Sequence, residues 1–223
     1  CAACRGTLVD AASGSCPRCG EPGVGAAFQG RCASCMGHAL ESAGARSAYL
    51  HQGAAKHLVS EFKFGGQPVL GRLMAGLAAT AFLDYVSSLE PAGPLLVTWV
   101  PAHPRAQRER GYNQAELLAR HLTRELPGLP CAALVRKTAR TQHQKGLGRA
   151  GRQSNLRAAF SLLPDATERV QQRGCQAVLL VDDVYTTGAT AAEVSSVVNA
   201  GLGLPTYVFT FSRAVSGKVV GHD

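Results

Sequence analysis

Two adjacent acids followed by a threonine-rich turn form the segment of this chain best suited to chemistry. The apolar run 178–181 leads into Asp182 and Asp183, and the sequence Thr-Thr-Gly-Ala-Thr follows at 186–190. Carboxylates at the end of a buried strand are costly unless hydroxyl groups or metal-bound water compensate for them. Backbone N–H groups and the dipole at a helix start favour a phosphate group. The pattern therefore predicts a cradle for a phosphate monoester.

A purely structural role is the alternative for the same residues. Taken singly, Asp183 and Thr190 would each cap or turn the chain into the following helix. The ordered combination of an apolar run, two acids and the threonine-rich turn is much less expected by chance than a lone glycine motif. The combination favours the functional interpretation.

Cysteine pairs near the start of the chain predict a metal site. Three Cys-x-x-Cys pairs occur, and in a cytosolic chain this spacing favours zinc over disulfides. Zinc takes four ligands, so three pairs cannot be used evenly. We assign one structural zinc site to the second and third pairs, Cys16, Cys19, Cys32 and Cys35. A site that combines the weaker candidates Cys1 and Cys4 with another pair remains open.

The net charge of +8 is concentrated in one window. Residues 105–157 hold 12 of the 23 Lys and Arg residues and three acids, which leaves about +9 there and about −1 elsewhere. Such a stretch suits diphosphate, a nucleotide or nucleic acid, and a solvated basic face explains it equally well. Residues 140–155 form a glycine-punctuated basic segment that we predict to be a mobile loop; contact with single-stranded phosphate backbones is a further use.

The elements that must position these residues alternate between strands and helices. Residues 102–111 are predicted to be a loop. This alternation predicts an α/β fold with a mostly parallel sheet over 46–223, preceded by a cysteine-rich module over 1–45. We predict strands at 47–51, 95–100, 132–135, 177–181 and 206–211, and helices at 54–64, 68–89, 113–126 and 189–200. No apolar run approaches membrane-spanning length, so we expect a soluble cytoplasmic protein.

The acid and threonine segment resembles the signature of type I phosphoribosyltransferases, which bind phosphoribosyl diphosphate (PRPP). Residues 100–104, 108–119 and 144–160 resemble the ComF-type competence proteins, which join an N-terminal cysteine module to a phosphoribosyltransferase-like domain. The resemblance covers nearly the whole chain. It implies a Rossmann-like sheet of that enzyme kind behind a small zinc-ribbon-like module.

The resemblance also implies roles for individual residues. Asp182 and Asp183 would be the catalytic acids that hold the ribose and stabilise positive charge at its anomeric carbon. Asn113 is equally well explained as a helix cap. Contacts to PRPP are implied for Pro101, His103, Arg105, Arg108, Arg110, Asn113, Thr186, Thr187, Gly188, Ala189 and Thr190. A lid over PRPP is implied for the basic loop, with candidates Gln144, Lys145, Arg149, Arg152 and Asn155, although an ordinary solvated loop is the alternative.

The resemblance implies a function as well. The chain would bind PRPP with Mg²⁺ and take part in natural competence, helping imported single-stranded DNA past the inner membrane. Its partners would be DNA-uptake proteins such as a helicase, which would bring a cytoplasmic protein to the inner face of the membrane. Because the sequence reveals no nucleobase pocket, activity as a transferase stays open. The alternative is a non-catalytic accessory factor that binds a nucleotide or DNA and recruits uptake partners through its zinc module. A zinc-dependent DNA-binding protein ranks last.

Overall fold

A computed structural model describes residues 1–23, 32, 35, 40–89, 91, 93–124, 126, 128–138 and 159–215. Its centre is a parallel sheet, because continuous apolar runs at Leu95–Trp99 and Ala177–Val181 are buried on both faces. Four parallel strands lie in the order β1-β6-β5-β2. The strands are β1 Gly44–Leu50, β2 Leu95–Trp99, β5 Ala177–Tyr185 and β6 Thr206–Arg213. A separate antiparallel pair consists of β3 Val135–Lys137 and β4 Phe160–Leu162.

Helices flank the parallel sheet, which confirms the predicted α/β class. They are α1 Ala2–Gly6, α2 Gly53–Phe64, α3 Leu70–Ser88, α4 Pro104–Arg110, α5 Gln114–Arg124, α6 Ala166–Gln171 and α7 Ala189–Leu202. Helix α3 packs against α5 and the sheet, and the rings of Phe82 and Phe209 meet edge to face with centroids 5.1 Å apart. At the end of β2, the buried Trp99 ring lies 5.0 Å from the guanidinium carbon of Arg120.

Three predicted elements are corrected by the structure. The expected loop over 102–111 contains α4, which starts at Pro104 in the first helical turn and ends at Gly111 with a φ of 83°. The strand predicted over 132–135 begins only at Val135. Strand β5 continues beyond Val181 to Tyr185, because β6 extends alongside it as far as Arg213. The two acids therefore lie within β5 instead of following it.

The N-terminal residues are joined to the sheet by several contacts. The Leu50 N–H donates to the Val9 carbonyl at 2.8 Å, and Arg46 Nη1 donates to the Ala12 carbonyl at 2.8 Å. The division into a module over 1–45 and a domain over 46–223 stays a prediction. Within the described ranges, no helix combines the length and apolarity needed to cross a bilayer.

Candidate functional site

A cavity of about 570 Å³ opens at the carboxyl edge of the parallel sheet. Ligands of open α/β sheets bind at this edge. The ends of three strands contribute to its wall: His51 after β1, Pro101 after β2, and both acids of β5. Helix α2 adds Lys56, Ser60, Lys63 and Phe64, and the remaining polar lining comes from His103, Arg110, Asn113, Gln114, Lys137, Thr186 and Thr190. The cavity thus joins two acids to several cationic groups and hydroxyls.

The two acids of β5 are neutralised in different ways. Asp183 is 4% exposed, and its carboxylate pairs with Lys63 Nζ at 2.8 Å. The Asp182 carboxyl accepts the backbone N–H of Asp183 at 2.9 Å. Burial, together with the neighbouring Asp183 carboxylate, raises the pKa of Asp182 to about 8. At neutral pH Asp182 is therefore protonated, while Asp183 forms the ion pair with Lys63.

The threonine-rich turn connects β5 to α7 beside the acids. Gly188 is the N-cap residue of α7, with a φ of 78° that favours glycine, and the Thr187 Oγ1 accepts the Ala189 N–H at 3.4 Å. The N-cap position that the alternative gave to Asp183 or Thr190 belongs to Gly188; Asp183 pairs with Lys63, and Thr190 lines the cavity. A smaller space of about 30 Å³ under the turn is bounded by Asp182, Thr186, Gly188 and Thr190, among others.

Of the residues predicted to contact PRPP before this turn, Pro101, His103, Arg110 and Asn113 line the cavity. Arg105 and Arg108 are not in the described lining. The side chain of Arg105 is 83% exposed and pairs with Glu109 at 2.8 Å. Helix α4 explains this separation, because a rotation of about 100° per residue turns Arg105 and Arg108 away from the side that carries Arg110. In the turn itself, Thr187 and Ala189 are outside the described lining of the cavity, whereas Thr186 and Thr190 belong to it.

Asn113 caps α5 and lines the cavity, while its contact with a ligand stays a prediction. Its Oδ1 accepts the Ala115 N–H at 3.0 Å, which caps α5, and its Nδ2 donates to the Val100 carbonyl at 3.1 Å. The same residue lines the cavity. The hydrogen bond to Val100 fixes the start of α5 against the end of β2.

The second and third cysteine pairs converge on one buried point. The Sγ atoms of Cys16, Cys19, Cys32 and Cys35 all lie within 4.8 Å of one another. The closest sulfur–sulfur distances among them run from 3.4 to 3.8 Å. Tetrahedral ligation at a Zn–S distance of about 2.3 Å needs about 3.8 Å between sulfurs, so these residues fit a zinc ion. Cys1 and Cys4, exposed and 3.5 Å apart at their sulfurs, stand outside this group.

A tight turn shapes the second cysteine pair. The Cys16 N–H donates to the Glu21 carbonyl, and the Gly20 N–H donates to the Cys16 carbonyl, both at 2.8 Å. Gly20 has a φ of 72°, and a Cβ there would lie 3.0 Å from the Ala45 carbonyl oxygen. Burial opposes ionisation of Cys16, but backbone N–H groups directed at its sulfur lower the pKa of the thiol to about 7. Burial raises the pKa of Cys19, so a bound cation would favour the thiolate form of this residue.

Comparison with known proteins identifies the family of the chain. It is 31% identical over 218 residues to competence protein F of Haemophilus influenzae, covering 87% of this chain and 88% of that protein. The chain belongs to the ComF family of competence proteins. In the same family, competence protein ComFC of Bacillus subtilis is 26% identical over 198 residues, with 85% and 73% of the two chains covered. DNA utilization protein YhgH of Escherichia coli K12 is 32% identical over 142 residues, which cover 62% of this chain and 58% of that protein. No protein-family model matches the chain.

Several cavity residues of this ComF-family chain were missed by sequence reasoning. Lys63 stands on a helix like any solvated lysine, and its pairing with Asp183 joins distant parts of the chain. Phe64 closes α2 and is 76% exposed, and the Arg110 guanidinium carbon lies 5.3 Å from its ring centroid. Burial, with the nearby ammonium groups of Lys63 and Lys56, lowers the pKa of His51, so its imidazole is neutral at neutral pH. The other missed residues are Lys56, Ser60, Gln114 and Lys137.

The predicted lid lies outside the described residues. Its candidates Gln144, Lys145, Arg149, Arg152 and Asn155 stay predictions. The described chain stops at Thr138 on one side and resumes at Ala159 on the other. Lys137, the last residue of β3, lines the cavity. Thr138, the last described residue before the predicted lid, is therefore next to the cavity wall in sequence.

Asp182 should make the stability of the protein depend on pH. Its pKa rises from 3.8 to about 8 on folding, so between these values the folded protein holds a proton that the unfolded chain has released. The free energy of unfolding contributed by this group therefore falls as the pH rises from 4 to 8. Asp182→Asn should match the wild type near pH 4 and be more stable by about 1–3 kcal/mol at pH 8.5, measured by urea denaturation.

The adjacent acid supplies the control. Asp183→Asn leaves Lys63 without its carboxylate partner, so this variant should be less stable than the wild type by about 1–3 kcal/mol at neutral pH. The two substitutions should change the free energy of unfolding in opposite directions, because the two carboxyl groups have different surroundings. A loss of stability in both variants at pH 8.5 would contradict the protonated state of Asp182.

Proposed function

We propose that the chain binds PRPP with Mg²⁺ and serves in the uptake of DNA. The observation that carries the proposal is one cavity at the sheet edge that unites the acids of β5, hydroxyls of the turn at 186–190 and cationic side chains from α2 and α4. PRPP needs all three, because it has vicinal hydroxyl groups, a 5′-phosphate and a diphosphate. The composition of this cavity and the resemblance of residues 178–190 to the PRPP signature support this ligand.

The acids suit the ribose ring. A protonated Asp182 offers a hydrogen-bond donor, and the Asp183 carboxylate offers acceptors, so the pair matches two hydroxyl groups that both donate and accept. A carboxylate close to the ring also stabilises positive charge at the anomeric carbon when the bond to diphosphate weakens. These two acids are the residues that we propose for catalysis, if the protein turns PRPP over.

The phosphate groups suit the two ends of the cavity. Thr186 and Thr190, with the N–H groups at the start of α7, favour the 5′-phosphate. Arg110 and Lys56 supply positive charge for the diphosphate on the other side, and a guanidinium group can bind two phosphate oxygens at once. Mg²⁺ would arrive with the diphosphate, because it keeps most of its waters and binds phosphate oxygens in preference to all-protein cages.

The cellular role is proposed from the names of the relatives. Two are competence proteins and one is a DNA utilization protein. We extend this role to the present chain, as a cytoplasmic protein that handles incoming single-stranded DNA with uptake partners such as a helicase. The basic window at 105–157 favours an anionic partner of this kind.

The cysteine module is proposed to hold zinc. Four thiolates at tetrahedral separations provide a closed structural site without an open position for catalysis. The ligands would be Cys16, Cys19, Cys32 and Cys35, and Cys1 with Cys4 remain weaker candidates for a further ion. Zinc binding in such a module contributes directly to its folding.

A non-catalytic accessory factor that binds DNA is the second candidate, and Phe64 is the residue that would serve this role. An exposed ring beside a guanidinium group at the rim of a phosphate cavity can stack a base of single-stranded DNA, whichever base that is. This observation fits an enzyme as well, since a transferase also needs to hold a base. Turnover therefore separates the two candidates, and binding alone does not.

Removal of both acids tests PRPP binding. Calorimetry with PRPP and Mg²⁺ should show binding to the wild type and at least tenfold weaker binding to the Asp182→Asn, Asp183→Asn double variant, because the ribose hydroxyls lose their partners. Asp165→Asn is the control, because Asp165 is a partly exposed acid that pairs with Arg169 and lies outside the described cavity lining. Equal heats in the wild type and the double variant, or none in either, would sink the proposal.

Metal analysis tests the cysteine site. Reduced protein should carry close to one zinc per cysteine cluster, and Cys32→Ser should lose most of it, because three sulfurs no longer close the site. Cys175→Ser is the matched control, since Cys175 is a buried cysteine outside the cluster. Zinc retained equally by both variants would refute the assignment.

Loss of the exposed ring tests contact with bases. Phe64→Leu should bind oligothymidylate about tenfold more weakly than the wild type, measured by fluorescence anisotropy, because stacking contributes about 1–3 kcal/mol per base. Val69→Ala is the control, since Val69 is similarly exposed and lies outside the described cavity lining. Identical binding by both variants would remove the support for a base site. Release of diphosphate from PRPP with a panel of free bases would then favour the enzyme over the accessory factor.

A further inference from the structure

We infer that Arg213 and Tyr185 are positioning residues through which the metal-bound cysteine cluster holds the phosphate-binding turn at 186–190 in shape. The inference rests on the proposed phosphate site and on a chain of buried contacts between it and the cluster. Each contact has a physical consequence, and together they join two features that lie far apart in the sequence.

The first contact joins the cluster to the sheet. Arg213, the last residue of β6, is 4% exposed, and its guanidinium group donates to the Cys19 carbonyl and to the Glu21 carboxylate. Cys19 is one of the four converging cysteines, and Glu21 follows it by two residues. A buried guanidinium is strongly destabilising without such acceptors. The burial of Arg213 therefore depends on the shape of the cysteine turn.

The second contact joins Arg213 to β5. Tyr185 is the register partner of Arg213 in the sheet, and the guanidinium carbon lies 4.5 Å from the centroid of its buried ring. A cation over the face of a desolvated tyrosine attracts it electrostatically and fixes the position of the ring. The backbone carbonyl of Arg213 also accepts the N–H of His51, a residue of the cavity wall, at 2.7 Å.

The third contact joins Tyr185 to the turn. The Tyr185 ring lies so close to Gly188 that a Cβ at this glycine would overlap the hydroxyl group and lie 2.6 Å from Cζ. Gly188 is the residue at the start of α7, between the threonines of the turn. Displacement of the tyrosine ring would therefore alter the position from which the turn directs its N–H groups.

Removal of the metal should disturb these contacts in order. Four cysteines without a cation no longer fix the turn at 16–21, so the Cys19 carbonyl and the Glu21 carboxylate leave Arg213. The buried guanidinium then has to move toward water or another acceptor. The tyrosine ring loses its cation, and the turn at 186–190 becomes looser.

Hydrogen exchange with and without a chelator tests the coupling directly. In the wild type, stripping the metal should speed amide exchange across 186–190 at least fivefold, while exchange in β2 stays within twofold. Arg213→Met, a neutral side chain of similar length, cuts the link; in this variant the chelator should change exchange at 186–190 less than twofold. Glu21→Gln removes only the charge of one acceptor of Arg213, at a less buried position, and should give an effect of the chelator on exchange that lies between those of the wild type and Arg213→Met.

Three results would overturn the inference. The first is unchanged amide exchange at 186–190 after the metal is removed from the wild type. The second is an equal effect of the chelator on exchange in Arg213→Met and in the wild type. The third is faster exchange in β2 together with 186–190, which would mean general loosening of the fold. A second measurement uses ribose 5-phosphate as the probe in calorimetry, where stripping should weaken binding to the wild type about fivefold. If loaded wild type does not bind ribose 5-phosphate, the proposed phosphate site fails, whereas the exchange experiment decides the coupling by itself.

Discussion

Two neighbouring acids have to be neutralised inside the fold, and the arrangement of the sheet edge follows from this requirement. Both acids line the same cavity, but the ion pair with Lys63 is made by Asp183. Helix α2 supplies Lys63 to one of them, and protonation neutralises the other. The extension of β5 and β6 to Tyr185 and Arg213 holds the acids at fixed positions. The cavity, its mixed charge and its suitability for a hydroxylated, phosphorylated ligand all depend on this arrangement.

The sequence predicted the parts of the fold whose signal is local. Continuous apolar runs gave β2, β5 and most of β6, and the order of acids and threonines located the site. Helix α4 was missed because it lacks an apolar stripe, although Pro104 and Gly111 at its two ends are the residues typical of a helix start and stop. Lys63 was missed because nothing in a helical lysine indicates which distant carboxylate it meets. Pairings of this kind depend on packing of distant elements.

The cysteine cluster shows the same division between local and distant signals. Spacing identified three candidate pairs, because a short Cys-x-x-Cys turn directs both sulfurs to one point, and the two pairs assigned to one site are the ones that converge. The attachment of this cluster to the sheet was beyond sequence reasoning. Arg213 lies beyond the predicted end of its strand, and its partners Cys19 and Glu21 belong to the opposite end of the chain. The cysteine turn and the sheet are therefore joined by the Arg213–Glu21 ion pair as well as by backbone contacts.

The placement of Trp99 makes the intrinsic fluorescence of the protein a probe of the cavity region. It is the one tryptophan of the sequence, it is buried at the end of β2, and the next two residues, Val100 and Pro101, form part of the cavity wall. The guanidinium group of Arg120 lies against its ring, so its emission is sensitive to small movements of α5 relative to β2. Since Asn113, the residue that caps α5, also lines the cavity, a ligand bound there would be expected to change the fluorescence of the unlabelled protein through this helix.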